Sequence, residues 1–491
     1  MSRQLSEQEQ VRRSKLEKLT EAGVQLYPER FDMTHTLAEA SQLADGVADV
    51  RVAGRIVAMR KMGKLSFVSI QDLAGRVQLC IKMDGVGEKN YEIFQHLIDI
   101  GDFIGASGSM FTTKTGEKTV QVTSYQFLGK CLNPLPEKWH GLVDVEARYR
   151  QRYVDLIMNA DTRKRFLIRS LIVREMRTFL ENQGFIEVET ATLQSNPSGA
   201  LAKPFKTHHN ALDVDMYLRI APETYLKRLI VGGFHHVFEF ARCFRNEGIS
   251  PQHLQEFTMV EGYSAYWNYE DNMNLIRNLF IHIIQKAFGT LVLTIGDVQV
   301  DLSKEWKRVT FRELILEHSG IDIDQFKDAK SLLKKIFDKG IVLDVDKPQE
   351  LGRGNLIDHL YKKVARPKVV EPTFLTAHPI DLSPLARAND SDPNLTDRFQ
   401  LIINGAEIVN AYSELVDPIE QMKRLEDQAA LRGAGDEEAM VKDEDYVYSM
   451  EFGMPPISGW GIGIERMLQF LTNCENIKDC VLFPITRPKE N

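Results

Sequence analysis

Three glycines at alternate positions, in Gly459-Trp460-Gly461-Ile462-Gly463, constrain this chain more than any other feature of its 491 residues. Side chains alternate across a strand, so this spacing strips one face and lets a flat ligand approach the backbone closely. Ile464-Glu465-Arg466 follows, with Arg466 placed where the chain should turn into a helix. About two hundred residues earlier, Phe244-Arg245-Asn246-Glu247 sets a guanidinium two positions before a carboxylate. The same alternation along a strand predicts that both point to one side, where an anion and a ring edge could be read together. Each island alone has a plainer reading, the glycine run as a packing device and the Arg-x-Glu as a solvated ion pair.

Together the islands resemble motifs 2 and 3 of the class II aminoacyl-tRNA synthetases, and their surroundings resemble the lysyl-tRNA synthetases of subclass IIb almost end to end. The resemblance implies an α+β chain: an N-terminal OB-fold β-barrel, then a class II catalytic domain whose antiparallel sheet is flanked by helices. Any ATP site would lack a P-loop, because no Gly-x-x-x-x-Gly-Lys-Ser/Thr occurs. The class I signatures His-x-Gly-His and Lys-Met-Ser-Lys-Ser are absent as well.

The rest of the chain can be divided on this basis. Residues 1–50 read as a helical extension, with an exposed basic helix over 7–22 carrying Val11, Leu16 and Leu19. Short apolar runs punctuated by Gly63, Gly75, Gly101, Gly108 and Gly116 predict about five strands and one helix near Tyr91–Leu97, the inventory of an OB barrel over 51–135. Asn133-Pro134-Leu135-Pro136-Glu137-Lys138 reads as a linker, with a boundary near residue 140 and a catalytic domain over 136–491. Residues 163–182 form an amphipathic helix ended by Gln183-Gly184 and followed by the strand Phe185–Glu189, and this pair resembles motif 1, which implies a homodimer. The family's proline after Glu-Thr is Ala191 here. Residues 321–366 read as an inserted helical bundle without a conspicuous chemical cluster.

Composition narrows the setting. Apolar stretches such as Leu279–Ile284 fall short of the roughly 20 residues of a spanning helix, and the polar start Met1-Ser2-Arg3-Gln4 has no secretory core, so no membrane association and a cytoplasmic location are expected. Five scattered cysteines suit a reducing compartment and are expected to be buried and inert. The net charge of −8 offers no general attraction to nucleic acid, so RNA contact must be local.

What the resemblance implies for the site residues is specific. In the barrel, Arg60, Phe67, Gln78 and Glu117 match anticodon readers, an aromatic stacking face with polar groups for base edges. In the catalytic domain, Arg245 and Arg466 match the catalytic arginines. Arg245, Glu247, His253, Phe257, Glu407, Gly463 and Arg466 match the ATP set, Glu407 also being the Mg²⁺ ligand. Gly199, Glu223, Arg245, Glu261, Tyr263, Asn410 and Glu414 match the lysine set, where carboxylates at both ends suit a substrate with two ammonium groups. The implied reaction is lysine-tRNA ligation: ATP activates L-lysine to lysyl-adenylate, which is transferred to tRNA(Lys). The pattern departs at Gln400, a second metal carboxylate in the family, at Gln252, an arginine in the family, at Leu254 and Gln255 beside it in the motif 2 loop, and at Gly262 and Ser264. These departures motivate one alternative, a tRNA-binding paralogue with weak or lost activation. An aspartyl or asparaginyl enzyme of the same subclass is the other, and the acidic pocket speaks against it.

Overall fold

The computed structural model describes residues 4–488 except 74, 137–141, 201, 346 and 434–439. The expected boundary near 140 and the end of the 133–138 linker therefore lie outside the described residues. The chain forms two compact units, Met1–Arg163 and Lys164–Asn491.

The first unit is built on a closed barrel of five strands, β1 Val50–Met62, β2 Leu65–Gln71, β3 Arg76–Lys82, β4 Phe103–Thr112 and β5 Lys118–Gly129, ordered β1-β2-β3-β5-β4. Strict alternation along β2 sends Val68 and Ile70 inward and leaves Phe67 and Ser69 outside, as a half-buried strand requires. The Glu88–Leu97 helix, between β3 and β4 in the chain, buries Tyr91 and Phe94 in the barrel core. The N-terminal helix, Glu7–Glu21, opens on a Ser6/Glu9 capping box. It is not the exposed helix expected. Leu19 is buried in the barrel core, Lys15 pairs with Asp99 at 2.6 Å, and Arg12 donates to the carbonyls of Ile100 and Cys131.

The second unit holds an eight-stranded sheet in the order Lys307–Thr310, Thr373–Pro379, Leu395–Ile403, Ala406–Ser413, Ile457–Gly463, Glu256–Ala265, His236–Phe244, Ile186–Glu187. The six inner strands run antiparallel, while both outer strands pair in parallel, so the sheet is mixed rather than wholly antiparallel. One face carries Phe238, Val260, Phe399, Leu401, Val409, Trp460 and Ile462 into a core shared with the helices Ala160–Asn182, Tyr269–Phe288 and Ile464–Leu471. The strand expected over 185–189 is reduced to Ile186–Glu187, because only Val237 and Phe238 lie opposite it at the sheet edge. Residues 321–366 contain the helices Ala329–Asp338 and Arg353–Leu360, and they contribute Leu332, Ile336, Leu356 and Leu360 to a separate apolar core. Gly262 lies opposite Trp460, and a Cβ there would come within 2.4 Å of the indole. The departure at 262 thus makes room for the large residue between the motif glycines.

The cysteines are all free, and Cys80, Cys243 and Cys480 are buried. Cys131 and Cys474 are partly exposed, so not all five are buried as expected, and Cys480 beside Cys474 lowers the pKa of the Cys474 thiol.

Candidate active site

The sheet face opposite the core is where the motif residues meet. Register places Glu261, Gly461, Asn410 and Gln400 in one cross-strand row, and Tyr263, Gly459, Tyr412 and Arg398 in the next. Two cavities open on this face. One is lined by Gly199, Glu223, Glu261, Tyr263, Asn410 and Glu414, and the other by Glu247, His253, Phe257, Glu407, Gly463 and Arg466. Arg245, Met259, Asn410 and Gly461 belong to both. Every residue of the two expected small-molecule sets is therefore brought to this face.

Local geometry differs from the expectation at both islands. The His236–Phe244 strand ends just before Arg245, whose N–H donates to Gln255 O at 2.8 Å, and Asn246 N–H turns to Lys203 O. Arg245 and Glu247 thus reach the same cavity from a loop, not from strand alternation. Among the glycines, a Cβ on Gly459 would lie 2.3 Å from the Tyr263 ring and 2.5 Å from Glu414 Oε1. That bare position accommodates the protein's own pocket residues. A Cβ on Gly463 would meet only Arg466, at 3.7 Å, so the free face expected of all three is present there.

Charge in the first cavity is unusual. Glu223, Glu261 and Glu414 are all buried beside a single buried ammonium, Lys227. Lys227 bridges Glu223 and Glu414, and the rings of Tyr263, Tyr412 and Tyr446 surround it at 5.7–5.9 Å. Tyr412 donates to Glu223 Oε1 at 2.8 Å, and Tyr263 donates to Glu261 Oε2 at 3.0 Å. Burial opposes the Lys227 charge, but its two glutamates outweigh that effect and hold its pKa well above the ordinary value. Burial, reinforced by Glu223, pushes Glu261 up to about 8 against the opposing fields of Arg245 and Lys227, and burial raises Glu414 well above its usual range despite Lys227. Glu414 Oε1 is buried with no hydrogen-bond partner.

The second cavity mixes both signs, with Arg245 and Arg466 set among Glu247, Glu407 and Glu465. Arg245 lies over the Phe257 ring at 5.1 Å, its buried Nε lacks a partner, and no carboxylate is in ion-pair contact with Arg245 or Arg466 among the described residues. Burial and the field of Arg466, with smaller contributions from Arg245 and Lys362, hold the His253 imidazole below its ordinary pKa, and Glu247 opposes them. Ser250 Oγ fixes His253 Nδ1 at 2.8 Å.

Three residues of the site escaped the sequence reading. Arg398 is half-buried on the cavity face and donates to Asn410 Oδ1, Leu382 O and Ser383 Oγ, with no ion-paired carboxylate among the described residues. Its alternation with Gln400 was the available signal. Lys227 sits one helical turn after Glu223, which an i,i+4 search would have found. Glu465 accepts from Thr258 N at 2.8 Å and Arg169 at 2.9 Å, fixing the start of the helix that carries Arg466.

On the barrel, Arg60 and Phe67 are cross-strand partners on the outer face, and Gln78 lies on the neighbouring strand opposite Ser69. Gln78 is nearly buried and donates to Thr119 Oγ1 at 3.0 Å, while Glu117 is exposed just before β5.

Residues 144–487 match the family described as tRNA synthetases class II (D, K and N), and residues 50–128 match the OB-fold nucleic acid binding domain. The chain is 48% identical to a lysine–tRNA ligase of Pelotomaculum thermopropionicum, over 99% of this chain and 96% of the relative. It is 45% identical to one of Carboxydothermus hydrogenoformans, covering 99% of both, and 44% identical to one of Bacillus subtilis, covering 99% and 98%.

Proposed function

The chain belongs to the class II tRNA synthetases, among the lysine–tRNA ligases, and from that premise we propose how its residues carry out the reaction. One carboxylate oxygen of lysine attacks the α-phosphorus of ATP, the bond to the bridging oxygen breaks, and pyrophosphate leaves with the electron pair. A hydroxyl of tRNA(Lys) then attacks the carbonyl carbon of the lysyl-adenylate, the anhydride C–O bond breaks, and AMP leaves with the electron pair while the hydroxyl proton is lost to solvent. The supporting observation is the position of Arg245 on the wall common to both cavities, without a carboxylate of its own. From there one guanidinium holds the lysine carboxylate and the α-phosphate together, and the gain is orientation and charge neutralisation rather than proton transfer.

The remaining roles follow from position. Asn410, steadied by Arg398, completes the carboxylate site. Glu223 and Glu261 with the backbone of Gly199 take the α-ammonium, and Glu414 with Tyr263 takes the ε-ammonium. Glu247 and Phe257 hold the adenine, which Arg466 covers from the Gly463 side, and His253 meets the outer phosphates. Arg60, Phe67, Gln78 and Glu117 form the anticodon face. The homodimer implied by motif 1 and a cytoplasmic location belong to the same proposal; among the described residues no helix is long and apolar enough to cross a membrane.

Magnesium fits this donor set in a restricted way. Glu407 lines the nucleotide cavity and gives one anionic oxygen, while Gln400, opposite Asn410 in the cross-strand row, brings an amide and no charge. Glu407 would hold Mg²⁺ with the triphosphate and water supplying most ligands, and the ion would neutralise phosphate charge. The test is ATP–pyrophosphate exchange, expected to require L-lysine and to be poor with aspartate. Gln400→Glu should lower the Mg²⁺ concentration needed for half-maximal exchange several-fold, since a carboxylate binds the ion more strongly than an amide. Equal exchange with aspartate would remove the lysine assignment.

Protonation supplies a second test. With Glu261 neutral below about pH 8 in the empty pocket, an arriving ammonium must displace its proton. Lysine binding should tighten as pH rises toward 8, by at most about tenfold per unit, with a proton released to buffer. Calorimetry in buffers of different ionisation enthalpy reads that proton, and Glu261→Gln should abolish it. The same sign holds for folding: the raised pKa means that stability without lysine falls as pH rises from the ordinary 4.5 to about 8.

A further inference from the structure

A third cavity adjoins the nucleotide site and shares Gln252, His253, Glu407 and Arg466 with it. Its far wall carries Lys362 and Arg366, four residues apart at the end of the helical segment that looked chemically silent in sequence. The Arg353–Leu360 helix does not stop cleanly before them. It widens into a π turn over Tyr361–Ala365 and then tightens into a 3₁₀ turn from Arg366. Such widened turns are uncommon and concentrate at functional sites. Lys362 pairs with Asp358 at 2.6 Å, whereas Arg366 has no ion pair among the described residues and its buried Nε has no hydrogen-bond partner. Lys362 also lies close enough to His253 to help depress its pKa.

An unpaired guanidinium facing a cavity that continues a triphosphate site calls for an anion. The loop between them has lost a positive charge where Gln252 stands in place of the family's arginine. We propose that Arg366, assisted by Lys362, binds the β- and γ-phosphates of ATP and then the pyrophosphate they become, taking over the charge absent at Gln252. The assignment rests on the ligase reading above and extends it to a subsite for the leaving group. Arg366 is half-buried and unpaired, so replacing it should not unfold the domain.

The experiment compares wild type, Arg366→Gln, Arg366→Lys and the Lys362→Gln/Arg366→Gln double variant. Expected for Arg366→Gln are a rise of about tenfold in the pyrophosphate KM of the exchange reaction and an equal weakening of pyrophosphate product inhibition, with the lysine KM unchanged. Arg366→Lys should recover part of the loss, and the double variant should exceed the single. Calorimetric titration of magnesium pyrophosphate into the enzyme without ATP or lysine reads the subsite independently of catalysis. An unchanged pyrophosphate KM and heat in Arg366→Gln would overturn the assignment, as would a defect confined to the tRNA KM, which would mark the cavity as an RNA contact. Absence of lysine-dependent exchange in wild type would count against the ligase reading, while the titration would still decide the subsite.

Discussion

Arg245→Ala is expected to cut lysine-dependent exchange about a thousandfold in kcat/KM, the scale of losing a preorganised cation on a transferring phosphoryl group. Loss of positioning and loss of charge neutralisation act together, because the same guanidinium belongs to both cavities. The KM for ATP and the KM for lysine should rise along with the fall in kcat. Folding should be nearly unaffected: apart from the Phe257 ring, the guanidinium meets only Met259 Sδ among the described residues, at 3.9 Å, so its removal strands no buried partner charge. A variant that melts normally yet retains exchange within tenfold of wild type would displace Arg245 from the centre of the mechanism.

Glu414→Gln should act on one substrate alone. Removing the carboxylate proposed to face the ε-ammonium should raise the lysine KM by roughly two powers of ten, or about 3 kcal/mol, and leave the ATP KM within about twofold. Lys227 keeps its contact with Glu223, so the fold should survive. A control separates loss of a ligand from a collapsed pocket: norleucine, which lacks the ε-ammonium, should be activated no worse by the variant than by wild type. An unchanged lysine KM would return Glu414 to a structural role.

Legibility of this molecule followed the period of its local patterns. Alternating runs in β2 and the 3.6-residue stripe of the Ala160–Asn182 helix could be read directly, since each element buries one face. That the two expected sets would gather on one sheet face was legible for another reason: Arg245, Glu414 and their neighbours lie inside motif segments whose chemistry constrains residue type. Contacts between distant segments were not legible. Leu19 docking into the barrel, Glu465 holding Arg169 and Thr258, and Gly262 receiving Trp460 all depend on tertiary neighbours that no local window contains. The irregular exit at Arg245 was hidden likewise, because alternation holds only while the ladder continues. Lys362 and Arg366 looked like ordinary surface charge until the π turn brought them to a cavity wall.

The caged ammonium of Lys227 limits how this pocket could be rebuilt for a different amino acid. Retargeting to a neutral or acidic substrate would begin by neutralising Glu223 and Glu414, yet those groups are also the counter-ions of a cation that no water reaches. Stripping both would leave that cation unpaired, at a cost of about 3–5 kcal/mol, which is a large share of a domain's stability. A library that varies only residues touching the ligand would therefore return misfolded protein. Position 227 has to be varied together with them.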